Sequence, residues 1–303
     1  MRTRTVALAS PAALRGLLMI LPALAVLAVF RYGPVVSAAW HSLFAWDGFS
    51  RGTFVGAKNY REVLADPVMR AASLNVAQYI GIRIVLNILF PLLAAWLIFH
   101  LGPGRAQSTY KALFTVPLVV PLMVVLLVWK FVYDGHEGLL NGILRLAGLG
   151  GRDWLGGFDT ALYAVSALGF PWVTGIGIAG FAMLLYLAGL QSIPGELIDA
   201  NVMDGARAAR RFFSLELAYV TRPLFLVVLL TIINTLQGYV PVMILTQGGP
   251  GNASMVPGLY LYRTAFGYDQ FGYACAIGVL MAVVLAFLAL LSTRLQARWE
   301  EAR

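Results

Sequence analysis

Apolar runs separated by short polar intervals divide this chain near residues 14–43, 72–100, 110–133, 160–190, 223–245 and 272–295. Each run reaches the ~20 residues that a helix needs to cross the hydrocarbon core of a bilayer. The pattern therefore predicts six membrane-spanning helices, with both chain termini on the same side. The first run follows a short basic start carrying Arg2 and Arg4. A secretory signal would have an apolar region of only ~7–15 residues, about half as long, so this run is read as a retained first span. No internal repeat is visible, which argues against a secondary transporter built from two related halves.

The polar intervals differ in kind. Residues 193–223, IPGELIDANVMDGARAARRFFSLELAYVTRP, form the one long polar segment between apolar blocks that also reads as helical. Pro194 suits a first helical turn, where its missing N–H costs nothing, with Ser192 as the expected cap. Gly205 marks a break, and Asp204 is placed to cap a second helix, its charge favoured at that end. Ala206, Ala209 and Phe213 then repeat at helical spacing, flanked by Arg207, Arg210 and Arg211. The expectation is an elbow of two short helices with an apolar stripe edged by charge. An amphipathic loop lying on anionic lipid would use the same arginines. Glu196, Asp199, Asp204 and Glu216 would be repelled there, so docking into another protein is the favoured reading.

Residues 44–71 combine aromatics and turn residues with a helix-like tail and predict a small ordered cap. Residues 134–159 are glycine-rich and carry Trp154, expected as an interfacial anchor. Residues 246–271 open with a tight turn, GGPG at 248–251, and continue as a tyrosine-rich surface or re-entrant helix. With the termini inside, twelve basic residues fall on inner segments: Arg2, Arg4, Arg15, Arg105, Lys111, Arg207, Arg210, Arg211, Arg222, Arg294, Arg298 and Arg303. Seven fall outside: Arg51, Lys58, Arg61, Arg70, Arg145, Arg152 and Arg263. Cytoplasmic loops carry the excess of Lys and Arg, so both termini and residues 193–223 are expected in the cytoplasm.

Composition makes the membrane the natural solvent: the chain is 60% hydrophobic and 12% charged, against about 25% charged in soluble domains. Cytoplasmic loops account for the net charge of +8. Nucleic acid is rejected as a partner, because no soluble module interleaves basic and aromatic residues. A single cysteine, Cys275, excludes an intrachain disulfide. His41, His100 and His136 lie far apart without metal-ligand spacing, and there is no GxxxxGKS/T loop. No catalytic residue, metal, bound cofactor or ATPase activity is therefore expected of this chain. An integral membrane enzyme acting on lipid would need His, Asp or Glu clustered near one interface, and here they are dispersed.

Three cations fall in or near apolar runs: Arg31, Arg83 and Lys130. A charge within the membrane costs ~2.5–3.5 kcal/mol on insertion scales and marks function by default. Arg31 and Lys130 lie near run ends, from which they can snorkel. Arg83 lies deeper, on one helical face with Asn87, with Gln78 and Tyr79 a turn before it. A structural salt bridge or a polar cavity contacting solute would each account for it, and an anionic solute would single it out. In the fifth run Asn234, Gln237 and Pro241 fall on one face, with Tyr239 beside Gly238. Helix breakers at this depth are tolerated where they face protein or water. Polar glue between helices and pathway lining both remain open here. Trp172, after Pro171 in the fourth run, either packs or stacks on a sugar ring.

Short motifs complete the picture: FVGAKNY at 54–60, VPLVVP at 116–121 with Trp129, EGLLN at 137–141 and WLG at 154–156. AGLQSIP at 188–194, LTQGGP at 245–250, LYRTAF at 261–266 and FGYA at 271–274 follow. Over nearly its whole length the chain resembles the permease subunits of bacterial ABC importers of the carbohydrate and glycerol-phosphate type, the maltose-type binding-protein-dependent transport family. Residues 193–223 resemble that family's cytoplasmic coupling loop, with its E-A-A, D-G-A and Leu-Pro positions. Here these read Asp199-Ala200-Asn201, Asp204-Gly205-Ala206 and Leu217-Ala218, so the acid is shortened, one alanine is polar and the proline is lost.

The resemblance implies an all-α integral membrane protein with six transmembrane helices and a cytoplasmic helical coupling loop, the type I ABC importer permease fold. Residues 1–13 and 297–303 would be cytoplasmic tails around a permease domain at 14–296. The ATPase-coupling residues would be Glu196, Asp199, Ala200, Asp204, Gly205, Ala206, Arg207, Arg210 and Phe213. The resemblance also tips the fifth span toward pathway lining, which makes Arg83, Asn87, Trp172, Asn234, Gln237 and Tyr239 the candidate solute contacts. Implied partners are a related, non-identical second permease, two cytoplasmic ATP-binding subunits that hold ATP and Mg, an extracytoplasmic solute-binding protein and membrane lipid. The expected location is the bacterial inner membrane. The expected solute is a sugar, oligosaccharide or glycerol-phosphate derivative, with a phosphodiester or amino acid as the alternative.

Overall fold

A computed structural model describes residues 11–169 and 178–301. Helix α1 (Pro11–Leu27) passes through a wide π turn (Ala28–Tyr32) into α2 (Gly33–His41), giving one apolar rod. Strands β1 (Phe44–Ala45) and β2 (Thr53–Phe54) form a short antiparallel hairpin before α3 (Lys58–Ala65). The longest helix, α4, runs Pro67–His100. Then come α5 (Arg105–Thr115), a tight 3₁₀ turn (Val116–Val119), α6 (Leu122–Val132), α7 (Leu139–Leu146) and α8 (Ala161–Ser166). Helix α9 (Ile178–Gln191) precedes α10 (Gly195–Met203) and the single turn α11 (Ala208–Arg211). A π turn (Phe212–Glu216) joins α11 to α12 (Leu217–Gln237). The chain ends with α13 (Val240–Leu245), α14 (Pro257–Phe266) and α15 (Phe271–Glu301).

Four helical stretches among the described residues are long and apolar enough to cross a membrane: Arg15–His41, Pro67–His100, Ala208–Gln237 and Phe271–Arg294. Two more spans arise only if bent helix pairs count as one, at 95° between α5 and α6 and at 73° between α9 and α10. The expected third span is thus broken, and its own sequence explains why. Pro121 lacks an N–H and forces the residue before it out of the helical region; Val120 is extended at φ −71°, ψ 125°. The expected fifth span also shifts. Its helix begins in the polar elbow at Ala208 and stops at Gly238, whose added Cβ would sit 2.6 Å from the Asn234 carbonyl.

By packing, the chain forms two units. The first takes the described part of Met1–Leu64 with Leu261–Leu280. Here the predicted small cap is a hairpin closed by Asp47, whose Oδ1 accepts from Ser50 N at 2.8 Å and Phe49 N at 3.0 Å. Those backbone donors, Ser50 first, hold its carboxyl below the usual carboxylate range. Asn59 of the FVGAKNY motif is buried and donates to the carbonyls of Ser42 and Phe44 at 2.8 and 2.9 Å. Gly272 of FGYA lies against the Phe44 carbonyl so closely that a Cβ would clash at 1.9 Å. These motifs are thus explained as fasteners of the hairpin.

The second unit takes Ala65–Tyr260 with Met281–Arg303. Asp66 caps α4 by accepting from Val68 N at 2.7 Å, with Pro67 at the first helical position. Helices α4, α9 and α12 pack on one another around Ala95, Met183, Tyr186, Leu190, Val220 and Val227, all essentially buried. The close approach depends on small residues: a Cβ on Gly189 would lie 2.9 Å from the Tyr219 carbonyl, and one on Gly180 would lie 2.5 Å from that of Phe114. The glycine-rich interval is ordered by Asn141 of EGLLN, which is fully buried. Its Nδ2 donates to the carbonyls of Gly135 at 2.7 Å and Arg152 at 2.8 Å. Its Oδ1 accepts from Arg152 N and from the Trp154 indole, both at 3.0 Å. Trp154, expected at the membrane interface, therefore spends its N–H inside the protein. Asn141→Ala would strand these buried groups at a cost on the order of 3 kcal/mol, and thermal unfolding of the purified protein should show a Tm lower by several degrees.

Candidate functional site

Two features in the second unit carry chemistry, a polar cavity and the charged elbow. The cavity holds about 240 Å³ and is lined by Tyr79, Arg83 and Asn87 of α4, by Asn234, Thr235 and Gln237 at the end of α12, by the Gly238–Tyr239 break, by α13 and by Leu122. Tyr79, Arg83 and Asn87 meet it together because positions four apart share a helix face. The α12 residues reach it because the helix stops there. Five of the six candidate solute contacts, Arg83, Asn87, Asn234, Gln237 and Tyr239, thus converge on one space. Trp172 lies outside the described residues. The sequence pattern omitted Thr235 and Leu122, and Pro241 belongs to a separate helix rather than to one face with Asn234.

Arg83 is only 3% exposed. Its Nη2 donates to Tyr79 Oη at 3.0 Å and to the Val165 carbonyl at 3.3 Å, and its guanidinium carbon lies 5.1 Å from the Tyr79 ring centre. No carboxylate among the described residues pairs with it, which excludes a salt bridge within them. Its Nε has no acceptor. Asn87, 1% exposed, donates from Nδ2 to Thr231 Oγ1 at 3.1 Å, while its Oδ1 has no donor.

The elbow bends where expected: Gly205 has φ +70°, which favours glycine. The expected caps are not used. Ser192 Oγ donates back to the Gly189 carbonyl at 2.7 Å, α10 starts without a side-chain cap, and Asp204 ends α10 rather than opening α11. The expected second short helix is instead the first turn of the long helix. Ala206 precedes that helix, so the stripe of Ala206, Ala209 and Phe213 does not form as a helical face. The exposed apolar surface is Leu197, Val202, Met203 and Phe213, the last two 86% and 72% exposed. Glu196, Asp199, Ala200, Asp204, Arg207 and Arg210 are also exposed.

What fastens the elbow was not read from the sequence. Glu216 is fully buried. Its Oε1 accepts from Arg211 Nε at 2.7 Å and its Oε2 from the Trp96 indole at 2.7 Å, with His100 Nε2 3.4 Å from Oε1. His100 Nδ1 donates to the Trp96 carbonyl at 2.8 Å, and its Nε2 meets Arg211 Nη2. Arg211 and Glu216 are five apart, on different faces of a regular α-helix. The π turn at Phe212–Glu216 adds the residue that brings them together, and that local change of period left no signal in composition.

Residues 87–301 match the family of binding-protein-dependent transport system inner membrane components. The probable ABC transporter permease protein YurN of Bacillus subtilis is 33% identical over 91% of this chain and 94% of its own length. The trehalose/maltose transport system permease protein MalF of Thermococcus litoralis is 31% identical over 90% of each chain. In fold, the chain is similar to a bacterial ABC transporter that imports the acidic polysaccharide alginate, with a TM-score of 0.78 at 19% identity over 92% of this chain and 94% of that one. Glu216→Leu removes one partner of the buried pair and should cost about 3–5 kcal/mol. Glu216→Leu combined with Arg211→Leu should recover most of that loss, as read by thermal unfolding of the purified protein.

Proposed function

We propose, from the premise that this chain belongs to the family of binding-protein-dependent transport system inner membrane components, that it carries a sugar, oligosaccharide or glycerol-phosphate derivative inward through the cavity around Arg83. The chain is an ABC importer permease, a transport component rather than an enzyme, in a multi-pass inner-membrane setting. It works with a solute-binding protein. A related second permease completes the pathway, two cytoplasmic ATP-binding subunits hold ATP and Mg, and both termini lie in the cytoplasm.

One observation carries the mechanism. The elbow and the cavity are the two ends of a single helical rod, Ala208–Gln237, 30 residues long, or about 45 Å at 1.5 Å per residue. Glu196, Asp199, Ala200, Asp204, Gly205, Ala206, Arg207, Arg210 and Phe213 dock into the ATP-binding partner, with Val202 and Met203 adding apolar contact. Burial of the apolar tips holds the contact, and the rim charges set its register. Closure of the partner moves the start of the rod, and the Glu216 cluster passes that movement to the end of α4. Both helices line the cavity, so its access changes with the partner's state. The energy comes from different partner affinities in the two states, because a ligand that binds both equally shifts nothing.

Gly205→Pro replaces a positive φ with a ring fixed near −65°, and Asp204→Arg reverses a docking charge. Both variants should abolish ATP-driven uptake in proteoliposomes of the complete transporter while remaining in the membrane. Normal uptake by both would refute the coupling role.

A further inference from the structure

Resting on that importer reading, we infer that the solute carries an acidic group, a carboxylate or phosphate on a hydroxylated body, and that Arg83 receives it. The arginine side chain brings a delocalised positive charge with five N–H donors and no acceptor. It is 97% buried by its 3% exposure, lines the cavity, and faces no carboxylate among the described residues. The cavity lining contains one arginine and no acid. Its existing contacts, a phenol and a carbonyl, satisfy Nη2 but neutralise nothing, and Nε is left without an acceptor. A neutral hydroxyl would fill that hydrogen bond and leave the charge uncompensated in a poorly solvated space. An oxyanion supplies both the acceptor that Nε lacks and the counter-charge, in a charge-assisted hydrogen bond.

The second orphan defines the rest of the ligand. Asn87 Oδ1, buried and without a donor, lies one helical turn from Arg83, about 6 Å along the axis. It asks for a donor, and a sugar hydroxyl is one. Asn234 and Gln237 add amides to the same lining. The cavity, at about 240 Å³, falls below the ~300–1,000 Å³ of pockets for drug-sized ligands, so it suits one sugar ring or a smaller polyol. An acidic sugar or a polyol phosphate meets all of these demands.

The test uses the complete transporter with its binding protein in proteoliposomes, supplied with matched acidic and neutral solutes. The pairs are galacturonate against galactose, glucuronate against glucose, and glycerol 3-phosphate against glycerol. ATP should drive accumulation of an acidic member and not of its neutral partner. Which acidic member accumulates distinguishes carboxylate from phosphate. Arg83→Gln should lower that uptake by roughly 30-fold or more, and Arg83→Lys should restore part of it by keeping the charge. Accumulation of a neutral member at least as well as its acidic partner overturns the inference and leaves the importer reading standing. Wild-type uptake of the acid by Arg83→Gln does the same. Failure of every member, acidic and neutral, overturns the importer reading and this inference with it. If Arg83→Gln does not reach the membrane, the wild-type pairs decide alone.

Discussion

The carboxylate of Glu216 is the point on which the working geometry of this protein turns. It is buried at the junction of a polar elbow and the end of the longest helix. A carboxylate there is costly unless it is paired and hydrogen-bonded. It gathers a guanidinium from its own segment and an indole N–H from α4. Those contacts tie the segment that leads into α12 to the end of α4, and both helices line the cavity.

The same physics gives the opposite result at Arg83. Low dielectric strengthens every polar contact and penalises every missing one. At Glu216 the partners are present and the cluster is closed. At Arg83 and Asn87 the partners are incomplete, with one nitrogen and one oxygen unmatched. The first network is complete within the protein, whereas the second leaves two polar atoms unmatched beside a cavity. The two clusters lie on α4 and are joined again through α12, which makes structural and functional roles neighbours on the same helices.

Several of the short sequence motifs have local structural duties here. Asn59 and Gly272 fasten the hairpin, Asn141 and Trp154 order the glycine-rich interval, and Pro121 turns the chain by a right angle. Their value is that irregular backbone, which bulk water would otherwise satisfy, finds its hydrogen bonds within the protein.

Much of this was legible in the sequence. Length and hydropathy alone marked the membrane class, because a bilayer demands long apolar helices whatever they pack against. The break at Gly205 and the cap around residues 44–71 followed from local backbone chemistry, and Arg83 stood out because a charge at that depth is costly. What the sequence left undecided depended on contacts between distant segments. It did not say that the third span bends at Pro121, that the second elbow helix continues into the fifth span, or that neither Ser192 nor Asp204 caps a helix start. Arg83 could equally have found an acid. Only the packing of α4 against α12 decided that it faces a cavity, and only a π turn decided that Arg211 reaches Glu216. Periodicity records which face of a helix is apolar; it does not record which neighbour that face will meet or where one extra residue shifts the turn.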